Sequence, residues 1–184
     1  VADIDEISMG PAPKDGAKKG LAVKPKKPWN EVSSYICFYG GGEIETITRS
    51  DVAIMHCDEG ERTPAEIEKI KAAGTYVIGY ITIGEDDKLR NGDGKGPGGS
   101  AGYYFDRNGD GKPDMNQTWG SYFVDAGNPG WQEWVIKNRL KFMMETQKCD
   151  GVFLDTVDTV DLYPRTKQGM IDLIKGMKEA YPQV

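Results

Sequence analysis

The apolar positions of this chain fall into short runs, with helix-like stripes between them. Ser34-Tyr35-Ile36-Cys37-Phe38-Tyr39 is one run, closed by Gly40-Gly41-Gly42. Asp51-Val52-Ala53-Ile54-Met55-His56-Cys57-Asp58 is a second, and Thr75 to Glu85 is a third. Val152-Phe153-Leu154 is a fourth, and it stops abruptly at Asp155. Short, nearly continuous apolar runs read as strands buried on both faces. Between them the period changes. Thr63-Pro64-Ala65-Glu66 supplies a cap residue, a proline at the first helical position and a glutamate at the third, which is a helix start. Ile67, Ile70 and Ala73 line one face of that helix, and Gly74 closes it. Asn128-Pro129 opens a second helix carrying Trp131, Trp134, Val135, Leu140, Phe142 and Met143. Pro164 opens a last one with Met170, Leu173, Ile174, Met177 and Tyr181 as its stripe. Strand, strand, helix, strand, loop, helix, strand, helix predicts an α/β fold with a parallel sheet and helices outside it.

In such folds ligands bind at the carboxyl ends of the strands. Three of those ends carry an acid, Asp58, Glu85 and Asp155, and Asp158 and Asp161 follow Asp155 at three-residue steps. Together they predict a carboxylate-lined mouth. A single strand-end aspartate also serves as a helix cap, and that alternative stands for Asp158.

Composition narrows the classes. The chain has 184 residues, 38% of them hydrophobic, and a net charge of −6, so one core is expected and no basic face for nucleic acid. No run of 18 apolar residues occurs, so no transmembrane helix is expected. Val1 to Glu6 shows neither a signal-peptide pattern nor an initiator Met. Residues 1–28 lack apolar periodicity and set six lysines against four acids. They read as a flexible Lys-rich leader or linker, with the barrel domain at 29–184. Gly40-Gly41-Gly42 is followed by Glu43-Ile44 rather than Lys-Ser/Thr, so a phosphate loop is rejected. Cys37, Cys57 and Cys149 lie in or beside strands and read as buried free thiols. His56 is the sole histidine, too few ligands for zinc.

Residues 86–127 form a long insertion after the third strand, and such length favours a functional role. Asp106-Arg107-Asn108-Gly109-Asp110-Gly111-Lys112-Pro113-Asp114 places oxygen side chains at positions one, three, five and nine, with Gly at six. That matches the first part of a calcium loop, with Lys112 at the backbone-carbonyl position. Gln117 occupies the place of the bidentate acid, so the expected site is a partial one, Asp106, Asn108, Asp110, Lys112 and Asp114 binding Ca2+ with outside help. The alternative is an Asx-rich turn without metal. Arg90 to Lys95 repeats Arg107 to Lys112 almost letter for letter, and a second metal is not expected there. No cofactor is expected for chemistry. Tyr103, Tyr104, Phe105, Trp119, Tyr122 and Phe123 share the insertion, and aromatic faces beside carboxylates suit sugar rings or simply anchor the loop.

With these residues in hand, the chain resembles glycoside hydrolase family 114, the endo-α-1,4-polygalactosaminidase-like barrels. The matching pieces are Asp51 to Asp58, Tyr80 to Glu85, Trp119 to Asp125 with Asn128-Pro129-Gly130-Trp131, and Asp150 to Asp158. The resemblance implies a (β/α)8 TIM barrel, secretion to the extracellular space or cell surface, and cleavage of an amino-sugar polysaccharide. It also implies that Asp155 is a catalytic carboxylate. One departure matters: the family's second acid, a glutamate, comes from a strand well downstream, and no piece of this chain matches it. Four strands are about half of a barrel that takes ~250 residues. The chain is therefore expected to supply roughly the first half, with the C-terminal half or a second chain completing it. Within the chain, Glu85 is the first choice as proton donor, because its strand neighbours that of Asp155 in a sequentially wound barrel. Asp58, Tyr80, Trp119, Asp125 and Asp158 are the substrate-contact candidates. The competing expectation is a non-catalytic carbohydrate-binding or cell-surface barrel module stabilised by calcium.

Overall fold

The computed structural model describes residues 21, 23–40, 43–87 and 102–183. Along the first part run β1 (Tyr35–Phe38), α1 (Ile44–Ile47), β2 (Val52–Met55), α2 (Pro64–Ala72), β3 (Tyr76–Thr82) and β4 (Glu85–Asp86). Then come β5 (Met115–Asn116), β6 (Ser121–Phe123), α3 (Pro129–Trp134), β7 (Gly151–Asp155), α4 (Thr159–Leu162) and α5 (Lys167–Ala180). The four predicted strands form one parallel sheet in the order β1-β2-β3-β7. β1 pairs only with β2, and β7 only with β3, among the described residues. The sheet is an open part of a barrel rather than a closed one.

Register decides which residues share a face. Cys37, Ile54, Ile78 and Gly151 form one row across all four strands, and Tyr80 pairs with Phe153 two residues on. The alternate residues Ala53, Met55, Val77 and Ile81 point the other way and are fully buried against Ile67 and Ile70 of α2 and against Leu140 and Met143. Gly79 lies in that packed face, where an added Cβ would meet Met143 Sδ at 2.8 Å. The first face has no such cover. Tyr35 is 72% exposed, Tyr39 54% and Phe153 41%.

α2 starts as its sequence dictates, with the Thr63 hydroxyl accepting from the Glu66 amide and Glu66 returning the bond to Thr63. α3 has the expected Asn128 cap, but it continues as π-helical turns over Val135–Leu140 and Phe142–Thr146. Trp131, Val135, Arg139, Met143 and Gln147 are a buried row that steps by four, flanked by the buried Leu140 and Met144. A turn wider than 3.6 residues keeps that row on one face.

Three expectations are corrected here. The insertion is not wholly a loop: β4, β6 and β5 form a small antiparallel sheet, with Glu85 opposite Phe123 and Met115 opposite Tyr122. Strands of two or three residues are too short to show a period. Of the expected leader, residues 23–28 are docked rather than free, and residues 1–20 and 22 lie outside the described residues. The Lys24 amide donates to Ala73 O at 3.1 Å, and Lys26 and Lys27 reach Asp150 at 2.8 Å and Asp51 at 2.7 Å. Lysines read as solvated, yet the amino ends of β2 and β7 present those acids. Cys57 and Cys149 are buried, but Cys37 is exposed because it lies on the uncovered face.

Candidate active site

Asp155 ends β7 directly opposite Thr82 of β3. The Tyr80 hydroxyl donates to its Oδ2. Tyr80 in turn lies among aromatic neighbours from β7 and from the residues just past β1 and β2. Its ring stacks on His56 at 5.0 Å and on Phe153 at 6.1 Å, and meets the edge of Tyr39 at 5.1 Å. Burial and then the hydrogen bond to Asp155 push the Tyr80 phenol far up, so it stays a donor. Burial, helped by a hydrogen bond with Cys37, pushes the Tyr39 phenol up to about 12.

Glu85 opens β4, three residues past the end of β3. The Ser121 hydroxyl and Asn116 Nδ2, the latter at 3.1 Å, donate to its carboxylate, which is nearly buried. Glu85 and Asp155 line the same cleft, of about 790 Å³, together with Glu61, Asp87, Asp158, Trp119 and the four aromatic rings. Five carboxylates face it, and no described Lys or Arg does. Asp158 occupies the N-cap position of α4 but makes no capping bond with its side chain. Trp119, 63% exposed on the turn between β5 and β6, stands at the rim.

Two predicted contact residues lie outside the cleft. Asp58 is turned inward, where Arg139 Nε and Nη2 donate to its two oxygens at 3.1 and 2.8 Å. The same guanidinium reaches Asp87 at 3.0 Å and the Thr82 hydroxyl at 2.9 Å. Burial opposes the charge on Arg139, but Asp58 and Asp87 outweigh it and keep the group protonated. Asp125 accepts from the Thr166 hydroxyl at 2.9 Å and the Gly127 amide at 3.0 Å, which pins the segment before α3 to the one before α5. Sequence reasoning missed Tyr39, Phe153 and Arg139. Alternation along β1 and β7 would have put the first two on the Tyr80 face. An arginine in an amphipathic helix gives no such signal.

The expected calcium loop is held together by its own backbone amides. Asp106 accepts from the amides of Gly109, Asp110 and Gly111, and Asp110 from the Lys112 amide and Asn108 Nδ2. Asp114 accepts from the Arg107 amide at 3.0 Å and from the Tyr163 hydroxyl at 2.7 Å. These bonds turn the oxygens of Asp106 and Asp110 towards the loop's own donors and tie Asp114 to Tyr163. No group of three His, Cys, Asp or Glu residues placed to hold a metal occurs among the described residues. The geometry fits the Asx-turn alternative. The repeat at 90–95 lies outside the described residues.

Residues 17–181 match the sequence model of glycoside-hydrolase family GH114. The chain belongs to that family. The uncharacterized protein MJ1477 of Methanocaldococcus jannaschii is 29% identical over 134 residues, which are 66% of this chain and 35% of that protein. The glycoside hydrolase domain of PelA from Pseudomonas aeruginosa superposes with a TM-score of 0.65 at 20% identity, over 83% of this chain and 58% of that one. Ega3 of Aspergillus fumigatus, solved in complex with galactosamine, superposes with 0.58 at 18% identity, over 93% and 60%. The chain thus spans only part of the relatives it matches. Their fold is the TIM-barrel α/β fold, of which this parallel sheet is an open portion.

Proposed function

We propose that this GH114 chain contributes the Asp155 half of a catalytic cleft that hydrolyses an amino-sugar polysaccharide of galactosamine type outside the cell. The observation that carries the reading is the shared cleft. It holds Asp155 and Glu85 among five carboxylates, without a described Lys or Arg, over a floor of aromatic rings. An anionic cleft attracts a chain bearing free amines and repels uronic acids. Galactosamine, the sugar in the Ega3 complex, is of that class. Rings Tyr39, Tyr80, Phe153 and Trp119 offer faces for the C–H side of a pyranose.

Glycoside cleavage needs two carboxyl groups flanking the bond. Asp155, oriented by Tyr80, serves as nucleophile or as stabiliser of the oxocarbenium-like transition state. Glu85, in a pocket that Ser121 and Asn116 hold in shape, is this chain's own candidate for the proton donor, and a glutamate from the strands that complete the barrel is the competing one. Asp158 and Trp119 contact the sugar. The uncovered face and the open edges at β1 and β7 take the further strands that complete the barrel, from the C-terminal half or from a second chain.

The test is Asp155→Asn in the full-length protein, assayed on an α-1,4-linked galactosamine polymer. Hydrolysis is expected to be lost, with the fold and polymer binding retained. Undiminished turnover sinks the assignment. The second reading, a non-catalytic carbohydrate-binding module, draws on Glu85, whose carboxylate is already committed to two donors. Polymer binding by the wild type without any hydrolysis, lost in Trp119→Ala, is its signature.

A further inference from the structure

We infer that Thr156 is the positioning residue that sets Asp155 against the end of β3, an inference that rests on the active-site reading of Asp155 above. Thr156 has φ 60°. For a β-branched side chain this is a backbone outlier, and such conformations persist only where the surroundings over-determine them. The surroundings here are specific. The Ile83 amide donates to Thr156 Oγ1 at 3.2 Å and the Gly84 amide at 2.9 Å, while the hydroxyl donates to Asp155 O at 2.6 Å. A hydroxyl has one donor and two acceptor lone pairs, so every valence of this one is used. Its partners are the two residues just before Glu85 and the backbone of Asp155. One side chain therefore ties together the roots of both carboxylates.

The neighbouring backbone leaves no slack. An added Cβ at Gly84 would overlap the Thr156 carbonyl oxygen, so glycine is what lets the two strand ends approach. The Ile83 amide also donates to Asp155 O at 3.1 Å. Trp131 Nε1 holds Ile83 O at 2.8 Å, and the Val124 amide holds Gly84 O at 3.1 Å. Residues 83 and 84 are thus fixed from both sides, and Thr156 transmits that fixity across to β7. A catalytic carboxylate acts only when held in the right geometry to the scissile bond, so the joint that fixes the backbone of Asp155 is where geometry matters most.

Three variants of the full-length protein separate the parts. Thr156→Val keeps the branched shape and loses the hydroxyl. Thr156→Gly accepts the positive φ and loses the hydroxyl, so it stays folded if the valine variant does not. Thr156→Ser keeps the hydroxyl. On the galactosamine polymer, kcat is expected to fall about 10- to 100-fold in the valine and glycine variants, with KM within about threefold and the serine variant near wild type. Hydrogen exchange at the Gly84 amide is expected to quicken in valine and glycine and not in serine. Unchanged kcat in valine or glycine, or a serine variant as slow as valine, overturns the positioning role. Unchanged Gly84 exchange in the valine variant overturns the clamp itself. Asp155→Asn is run alongside: if it keeps full turnover, the active-site reading has failed, while the exchange result still reports on the clamp.

Discussion

Arg139 has the most at stake of any single residue. It is nearly buried, and its guanidinium serves Asp58, Asp87 and Thr82 at once. Asp58 follows β2, Thr82 ends β3 and Asp87 follows β4, so the pairing locks three strand ends to the π-helical segment behind them. Removing one partner of a buried ion pair leaves uncompensated charge and costs about 3–5 kcal/mol. Arg139→Leu is therefore expected to lower the melting temperature by roughly 6–20 °C in a domain of this size. A shift within about 1 °C would mean the acids find other partners. At this scale sequence was a partial guide. Asp155 and Glu85 were legible because an acid after an apolar run stands out. Asp58 stood out in the same way and faces inward instead, since the arginine that claims it is 81 residues away in sequence. His56, the sole histidine, gave no such signal; its ring lies in the cleft, stacked on Tyr80.

Whole elements were legible wherever a period had room to repeat. β1, β2, β3 and β7, the capping box of α2 and the stripe of α5 all follow from pattern and caps. Residues 23–28 and the described part of the insertion did not, because lysine contacts to distant acids hold the first and strands of two or three residues build the second. In the leader, Lys27 and the Ser33 amide, with Lys24 farther off, hold the Asp51 carboxyl well below the usual carboxylate range. A depressed folded value contributes stability above the unfolded value of about 4, and that contribution is lost as pH falls towards the folded one. Asp51→Asn should lower the melting temperature at neutral pH and flatten its decline below about pH 4. Parallel curves for wild type and variant would detach Asp51 from stability. In the insertion, loop 106–114 spends its carboxylates on its own amides. A calcium site filled at 100 times its Kd would add about 2.7 kcal/mol. No such gain is expected, so melting in excess calcium and in chelator should coincide. A rise of several degrees with calcium would reinstate the metal.

At the scale of the molecule, one face of the sheet is packed and the other is not. The packed face buries Ala53, Met55, Val77 and Ile81 under helices. The other carries Tyr35, Cys37, Tyr39 and Phe153 towards the space where a closed barrel keeps its interior. The strands at both margins, β1 and β7, pair on one side only among the described residues. Unpaired edges beside exposed aromatic rings are a template for further strands. The 20.3 kDa chain studied alone is therefore expected to associate through this sheet, with a weight-average mass by sedimentation that rises with concentration. Tyr35 is the residue to change: it lies at the amino end of β1, on the margin, whereas the cleft is at the carboxyl ends. Lysine on an edge strand opposes pairing by making any partner strand bury a charge. Tyr35→Lys should move the mass towards the monomer and leave the aromatic stack around Tyr80 intact. A wild type that stays monomeric at every concentration would mean that the exposed face is tolerated as it stands, and the proposal of added strands would lose its support.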